Sequence, residues 1–511
     1  MLHEGATTRL IVPSGLSREI KVAFSFRQGD CISGDLYCLT QEPLLRMIRN
    51  KMQGLKLTNF QQKDEDYMDD IQFISSDVQD LVVFNNIFMK FELQSGAMLS
   101  RTKKSKVMGL GKWRRRQDWP LPWLQTVDEM KILGFRVCPE YTSTQSCTWE
   151  AVFRGFQRSL FSWESRAICS LEQKVKVAQT FALSKLWYVA QVLPLPLAYT
   201  KKIESALSSF IFRGSPERLK LAELQNPLES GGLGLTCVAT KAESLLLRQC
   251  LRLLDRPEEN CYLHLGYWLG STLKDVFSRL ASSGPVCPGL LPRFPLHQAM
   301  AEVLQEGLMR NEYNPNELQQ ATTKLIYSGR IADVVPPPKV EQKFPGVDFK
   351  VLVYPRLADK ILEPEPKDIL FRLVHNLIVN KERLFRQNRV QDPCCQLPEC
   401  QGQVQDKEHL FTSCFLVAEA WVWLRTRLLR LLPTTQGAVA ITNEDFLLLQ
   451  FPKDLLDSEC VWLLGNYCEI VTSTVIGKKR KLGAEQLGGR LRTRLQYIRG
   501  RAVVQPVLYN I

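Results

Sequence analysis

The sequence of 511 residues is 45% hydrophobic and 23% charged, so it can bury substantial cores and should form a globular chain of roughly two to four domains. Its formal net charge of +13 favours a polyanionic partner, because Lys and Arg side chains that neutralise phosphates release condensed counterions. The fifteen cysteines are scattered and odd in number, which excludes the dense disulfide framework of a small secreted domain and indicates a reducing compartment.

Neither a secretory signal nor a membrane span is expected. Residues 1–12 carry charged side chains where a signal peptide would have an apolar core. The apolar stretch from Phe181 to Tyr199 is interrupted by Lys185, Pro194 and Pro196, which makes it a poor membrane span. We therefore expect a nuclear or cytoplasmic chain, or one found in both compartments, that is not secreted.

Residues 1–147 are predicted to form an α+β domain, since short apolar runs alternate with turn-forming residues. Within it, Tyr67-Met68-Asp69-Asp70 fits two strands joined by a tight turn that carries adjacent carboxylates. Such carboxylates suit Mg²⁺, and a nucleotidyl-transfer site would hold two of these ions roughly 4 Å apart. A solvated acidic loop is the alternative, because an acidic run at 64–66 stands just upstream.

Residues 148–285 are predicted to be helical. Apolar residues recur there at spacings of three and four, as on one face of a helix, at Leu171, Val175, Ala178, Ala182, Leu186 and Val189. Pro194 and Pro196 should end that helix. Another helix is indicated by Ile203, Leu207, Phe210 and Ile211.

The remaining chain divides into three predicted parts. Residues 286–365 form a Pro-containing linker region, with Pro336-Pro337-Pro338 as a stiff extended segment. Residues 366–430 form a zinc-binding domain, and residues 431–511 form a helical segment with a basic tail. The segment from Lys478 to Arg501 holds nine Lys or Arg residues against one acid, which fits a nucleic-acid-binding arm, a nuclear localisation signal or a solvated basic face.

The zinc prediction rests on the spacing C-x4-C-x8-H-x4-C of Cys395, Cys400, His409 and Cys414. Thiolates and an imidazole at these intervals can form a tetrahedral Zn²⁺ site on two short hairpin-like loops, and four protein ligands leave no open position for catalysis. Cys394 competes with Cys395 as the first ligand. Buried cysteines without a metal are the alternative.

Several motifs together resemble the reverse transcriptases of non-LTR (LINE-type) retrotransposons. Phe26-Arg27-Gln28-Gly29-Asp30 is similar to the R-Q-G block that precedes the Y-x-D-D box of that family. After the box, residues 95–103 resemble its S-G-x-x-x-N-x-x-K segment, and Lys131-Ile132-Leu133-Gly134 resembles its primer-grip strand. The Gly-rich stretch 231–235 resembles the region after the thumb, and the family carries a similar Cys/His motif near its C-terminus.

The resemblance implies a partial right-hand polymerase palm and fingers, then an α-helical thumb and a small C-terminal zinc knuckle. It implies an RNA-directed DNA polymerase that binds an RNA template, a DNA primer or target and dNTPs, with Mg²⁺ as catalytic metal and Zn²⁺ as structural metal. The implied residues are Asp69, Asp70 and Lys103 for catalysis, with both aspartates holding Mg²⁺; Arg27, Gln28, Gly29, Tyr67 and Met68 for nucleotide or template binding; Leu133 and Gly134 for the primer grip; and Cys395, Cys400, His409 and Cys414 for zinc.

The sequence also departs from the family pattern. The first catalytic aspartate of the family belongs to a block upstream of R-Q-G, and residues 1–26 contain no aspartate. Cys31, Gly34 and Ser100 replace residues that are common in the family. We therefore expect an N-terminally truncated copy, without the endonuclease of many LINE proteins, that is inactive alone. A non-catalytic RNA- or DNA-binding protein derived from such an element is the alternative function.

Overall fold

The computed structural model describes residues 7–13, 15–21, 31–56, 61–67, 70–101, 105–166, 168, 170–213, 218–254, 265, 267, 269, 295–309, 321–431, 441–451, 457–478 and 480–500. These residues form a helix-rich α+β protein with small two-stranded sheets, which confirms the predicted class at that level. The chain divides into two compact units, Met1–Thr148 with Gln249–Gln320 and Trp149–Arg248 with Ala321–Ile511.

All described strands belong to the first unit. They are β1 (Thr7–Thr8), β2 (Ile11–Val12), β3 (Gly15–Leu16), β4 (Ile20–Lys21), β5 (Leu55–Lys56), β6 (Gln61–Gln62), β7 (Asp64–Tyr67), β8 (Asp70–Phe73), β9 (Lys106–Val107), β10 (Gln125–Thr126), β11 (Met130–Ile132) and β12 (Phe135–Val137). Antiparallel pairs join β1 with β4, β2 with β3, β5 with β6, β7 with β8 and β11 with β12, whereas β9 and β10 are parallel.

Two helices form the core against which the β7–β8 hairpin packs. Helices α1 (Ser33–Lys51) and α2 (Gln79–Ser95) bury Leu44, Leu45, Ile48, Met52, Phe84, Ile87, Phe88 and Phe91 against one another. The ring of Phe73, on β8, lies 4.1 Å from the ring of Phe84 between centroids. Burial of these apolar side chains, at about 25 cal/mol per Å², fixes which face of the hairpin points inward.

The other described α-helices are α3 (Tyr141–Glu164), α4 (Leu171–Val177), α5 (Ser184–Ala190), α6 (Leu197–Ile211), α7 (Leu221–Gln225), α8 (Val238–Leu254), α9 (Pro295–Met309), α10 (Thr323–Val334), α11 (Lys339–Lys343), α12 (Tyr354–Leu357), α13 (Pro364–Val374), α14 (Lys381–Arg386), α15 (Ala418–Leu431), α16 (Asn443–Leu447), α17 (Asp457–Val471) and α18 (Ala484–Gly500). Turns of π-helix occupy Ala178–Leu183, Phe349–Val353, His409–Ser413 and Thr472–Ile476. Turns of 3-10 helix occupy Gly111–Trp113, Leu228–Ser230 and Pro398–Cys400. Part of the predicted linker region is thus helical.

The helical periodicity predicted after residue 170 is confirmed. A continuous helical segment runs from Leu171 to Ala190 through α4, a π-turn and α5, and all six residues predicted to share one face are buried. Pro196 precedes α6 as its N-cap, and the four apolar residues predicted for that helix are buried too. The spacing of apolar side chains therefore identified the inward faces correctly.

Helix α17 is the centre of the second unit. Residues 459–468 are buried at every consecutive position, so this helix is surrounded by other elements. Helix α13 packs beside it, and Asp368 of α13 accepts a 2.6 Å hydrogen bond from the Leu171 N–H at the start of α4. None of the helices in the described ranges is long and apolar enough to cross a membrane.

Candidate metal centre

The first two cysteines lie on a hairpin-like loop formed by residues 393–405. Cys394 and Val404 form an antiparallel bridge, and the Cys395 N–H donates to the Gln403 carbonyl at 2.8 Å. At the tip, the 3-10 turn Pro398–Cys400 is followed by Gln401 and Gly402, both with positive φ. This reversal turns Cys400 back toward Cys395, as the spacing predicted.

The histidine and the last cysteine lie on a π-helical turn. The Cys414 N–H donates to the His409 carbonyl at 2.9 Å, an i to i+5 bond that stacks the two ligands on one side of the turn. Asp406 Oδ1 accepts the His409 N–H at 2.7 Å and caps the start of the turn. The prediction of a second hairpin-like loop was wrong here, because the H-x4-C spacing fits one wide helical turn.

The four ligand atoms converge on one point. Cys395, Cys400, His409 and Cys414 are all buried, and their ligand atoms lie within 4.8 Å of one another. The Cys400 and Cys414 sulfurs are 3.9 Å apart. A tetrahedral ion with Zn–S bonds of about 2.3 Å requires sulfurs about 3.8 Å apart, so the cluster can hold a metal ion such as zinc.

The antiparallel bridge between Cys394 and Val404 determines which of the two adjacent cysteines, Cys394 or Cys395, faces the metal centre. Cys395 is buried among the other ligands, whereas the Cys394 thiol is directed to Asp392, which raises the thiol pKa through a hydrogen bond. Successive side chains of an extended segment point to opposite sides, so only one of the two can face the centre. That residue is Cys395.

His409 presents one free nitrogen to the ligand cluster. Its Nδ1 lies 3.1 Å from Gln403 Oε1 and 3.3 Å from Ser413 Oγ. Its Nε2 is buried and has no hydrogen-bond partner among the described residues, which is costly for a polar atom unless a metal or another group occupies the position in front of it. The pKa of His409 is lowered by burial, although Asp406 opposes this, and a neutral imidazole is the form that binds metals.

The Cys414 thiol needs a nearby cation in order to ionise. The pKa of Cys414 is raised to about 12, because burial disfavours the thiolate and the Cys400 and Cys395 sulfurs add negative charge nearby. A divalent ion reverses that balance, since thiolates bound to it are deprotonated. The Phe415 N–H donates to Cys400 Sγ at 3.4 Å and would stabilise a thiolate further.

The centre is anchored in the core of the second unit. The carbonyl of Phe411, in the π-turn, accepts a 2.5 Å hydrogen bond from the Tyr467 hydroxyl of α17. The Trp421 ring lies 5.6 Å from the Tyr467 ring. Leu410, Phe411 and Trp421 are buried, whereas Val422 is 64% exposed.

Over 280 residues the chain is 25% identical to the Transposon TX1 uncharacterized 149 kDa protein of Xenopus laevis. This similarity supports a transposon origin. The match covers 52% of the present chain and 21% of the Xenopus protein, so the chain spans about a fifth of that relative's length. No protein-family model matches the chain.

Two residues of the acidic motif, Tyr67 and Asp70, lie on paired strands. Strands β7 and β8 pair with Tyr67 opposite Asp70. Arg49 of α1 lies 2.7 Å from Asp64 and 3.4 Å from Asp66, so these two carboxylates of the acidic run are ion-paired on a strand and do not form a solvated loop. The pKa of Glu65 is raised, first by burial and then by Asp64 and Asp66. Within the described ranges, Asp70 belongs to no cluster of three metal-binding side chains.

The other residues predicted for the polymerase site divide into two sets. Leu133 and Gly134 form the two-residue turn of the β11–β12 hairpin, with φ of 44° and 91°. The following residues lie outside the described part of the chain: Arg27, Gln28, Gly29, Met68, Asp69 and Lys103. Their predicted roles remain predictions.

Sequence reasoning did not find Gln403. It lies between Cys400 and His409 with no distinguishing spacing, among other Gln residues at 401 and 405. Its contact with His409 follows from the loop reversal, which the sequence does not encode as a motif.

Proposed function

We propose that this chain derives from the RNA-directed DNA polymerase of a non-LTR retrotransposon, and that it binds primer and template nucleic acid through a C-terminal region stabilised by zinc. The observation that carries the proposal is the buried Cys3His centre beside a basic segment. The similarity to a transposon protein and the net charge of +13 support it.

Zinc suits this donor set better than harder ions do. Three thiolates and an imidazole are soft or borderline ligands, which favour Zn²⁺ over Mg²⁺ or Ca²⁺. Four protein ligands complete the coordination, so the ion has a structural role and activates no water. Its binding energy contributes directly to the folding of residues 393–414.

The basic segment lies next to the centre. The Leu482 N–H donates to the Leu416 carbonyl at 2.9 Å, which ties the segment to the residues that follow Cys414. Lys481 lies 4.6 Å over the Phe415 ring, and Lys478, Arg480 and Lys481 are exposed. An aromatic ring beside solvent-exposed cations is the combination that binds single-stranded nucleic acid.

The polymerase part of the proposal is supported by the β7–β8 hairpin and the motif order. Asp70 is exposed at the start of β8, where the family resemblance expects a carboxylate that holds Mg²⁺. Two-metal catalysis needs further carboxylates near Asp69 and Asp70, and residues 1–26 supply no aspartate. Activity therefore depends on a carboxylate from another position.

A binding assay tests the first part. We expect the full chain to bind a fluorescent RNA–DNA primer–template with a steep salt dependence, and Lys481→Gln to reduce the log–log salt slope by about 1. Lys381→Gln, which removes a lysine that donates to the Cys394 carbonyl near the metal loop, is the matched control for the loss of one charge. Binding that is insensitive to salt would contradict the proposal.

Primer extension with Mg²⁺ tests the second part. Incorporation abolished by Asp69→Asn and by Asp70→Asn, but retained by the exposed Asp128→Asn, supports polymerase activity. Salt-dependent binding without incorporation supports the second candidate function, a non-catalytic nucleic-acid-binding protein. That candidate is favoured by the lack of a three-donor cluster around Asp70 in the part of the chain that the structure describes.

A further inference from the structure

A second group of metal-binding side chains lies at the open end of the β11–β12 hairpin. Met130 pairs with Val137, so Glu129 and Cys138 flank the last pair of the ladder on opposite strands. Cys147 approaches them from the first turns of α3. One ligand atom from each of Glu129, Cys138 and Cys147 lies within 4.8 Å of the others.

Two threonines of α3 hold this arrangement in place. Thr144 Oγ1 accepts the Cys138 N–H at 2.8 Å and donates to the Cys138 carbonyl at 3.2 Å. One helical turn later, Thr148 Oγ1 makes the same pair of bonds with the Arg136 backbone, at 3.0 and 3.2 Å. Residues three and four apart share a helix face, so Cys147, three after Thr144, is directed at the strand that carries Cys138.

The three donors match a known coordination chemistry. Two thiolates and a carboxylate are ligands that Zn²⁺ accepts, and three protein ligands leave a fourth position for water or another group. We propose that Glu129, Cys138 and Cys147 form a second binding site, of the three-ligand kind, for a soft divalent cation such as Zn²⁺. This site is independent of the Cys3His centre and of the proposed polymerase function.

Arg136 competes with the cation for Glu129. Its guanidinium forms an ion pair with Glu129 Oε1, which leaves the second carboxylate oxygen to coordinate a metal. A positive side chain this close weakens the attraction of the site for a cation. Occupancy should therefore depend on the metal concentration and should be weaker than at the four-ligand centre.

A metal ion bound by Glu129, Cys138 and Cys147 would cross-link the β11–β12 hairpin to α3. The hairpin tip carries Leu133 and Gly134, the residues predicted for the primer grip, and Leu133 is 42% exposed. A bridge at the open end restricts the motion of the two strands relative to the helix. Zn²⁺ should then slow the amide hydrogen exchange of residues 129–138.

Metal stoichiometry of the full chain provides the test. Under a phosphine reductant and saturating Zn²⁺, we expect two equivalents bound, and one equivalent for Cys138→Ser/Cys147→Ser. The control Cys31→Ser/Cys38→Ser removes two exposed thiols that belong to no three-donor cluster among the described residues, and should still bind two. Equal stoichiometry in the wild type and the 138/147 variant would overturn the proposal.

Cd²⁺ titration gives a readout that does not depend on complete folding of one variant. The charge-transfer absorbance should reflect three thiolates at the Cys3His centre and two at the second site, so Cys138→Ser/Cys147→Ser should lose about two fifths of it. Glu129→Gln should weaken the second phase at least about tenfold, and Arg136→Gln should strengthen it. A second phase that neither substitution changes, or a Cys138–Cys147 disulfide that persists under the reductant, would overturn the assignment.

Discussion

His409 Nδ1 lies 3.1 Å from the side-chain oxygen of Gln403. An amide oxygen can only accept, so this contact places the proton on Nδ1 and leaves the lone pair of Nε2 for a metal. Nε2 is buried and accepts no hydrogen bond within the described part of the chain, which agrees with that assignment. Gln403 therefore orients the histidine ligand without touching the ion.

Gln403→Leu should weaken Zn²⁺ binding about 10- to 100-fold without abolishing it, because the imidazole loses the acceptor that fixes its tautomer and ring orientation. A competition titration with a chromophoric chelator measures this. Gln391→Leu, an exposed glutamine on the approach to the same loop, should leave the affinity unchanged. Equal affinities for the Gln403 variant and the wild type would show that the contact has no role in metal binding.

Cys395→Ser should remove the metal from the Cys3His centre, whereas the adjacent Cys394→Ser should retain it. Only Cys395 lies among the ligands, and Cys394 points toward Asp392. Zinc analysis by mass spectrometry of the native protein distinguishes the two variants. Loss of zinc from the Cys394 variant alone would reverse the ligand assignment.

Gly231→Ala should destabilise the second unit more than Gly234→Ala does. Both glycines have positive φ, which costs an L-residue about 1 kcal/mol. A Cβ at 231 would also overlap the Tyr354 ring, whose hydroxyl donates a 2.8 Å hydrogen bond to Glu341, whereas a Cβ at 234 would meet no described atom within 4 Å. Overpacking adds about 1–3 kcal/mol at 231 alone.

Urea unfolding monitored by circular dichroism compares these two variants. The matched backbone conformation makes Gly234→Ala the control for strain, so the difference between the variants reports the contact with Tyr354. Equal unfolding midpoints would argue against close packing of the Gly231 loop on that ring.

His375 should make the chain less stable in acid. Burial lowers its pKa from 6.5 to about 4, and its ring packs at a tilt against Phe371 with centroids 4.3 Å apart. The folded state therefore disfavours protonation, so the stabilisation is complete above pH 6.5 and is lost as the pH falls from 6.5 toward about 4. This pKa shift corresponds to a contribution of about 3 kcal/mol at most to the free energy of unfolding.

The variant His375→Phe tests this, because it keeps a ring at the position and removes the titrating group. Its free energy of unfolding should fall less than that of the wild type between pH 6.5 and pH 4.5. Acid also releases a metal held by thiolates, but this affects both proteins alike, so the difference between them isolates His375. Parallel pH profiles would contradict the prediction.

Much of the helical architecture could be predicted from local pattern. The spacing of Leu171, Val175 and Ala178 identified a buried face, and Pro194 and Pro196 marked its end, because helical periodicity and the conformational limits of proline act over a few residues. The Tyr67 to Asp70 motif likewise indicated a hairpin. Its assignment to a polymerase depends on resemblance, and among the described residues Asp70 belongs to no cluster of three metal-binding side chains.

The sequence by itself determined which side chains can bind zinc, since ligand chemistry and the C-x4-C-x8-H-x4-C spacing are properties of the chain. Only the tertiary structure decided that Cys395 and not Cys394 faces the centre, that Gln403 holds His409, and that Glu129 and Cys138 meet Cys147. Those relationships depend on strand register and on which helix packs against which strand. A shift of one residue in register would exchange inward for outward side chains, and no local motif specifies it.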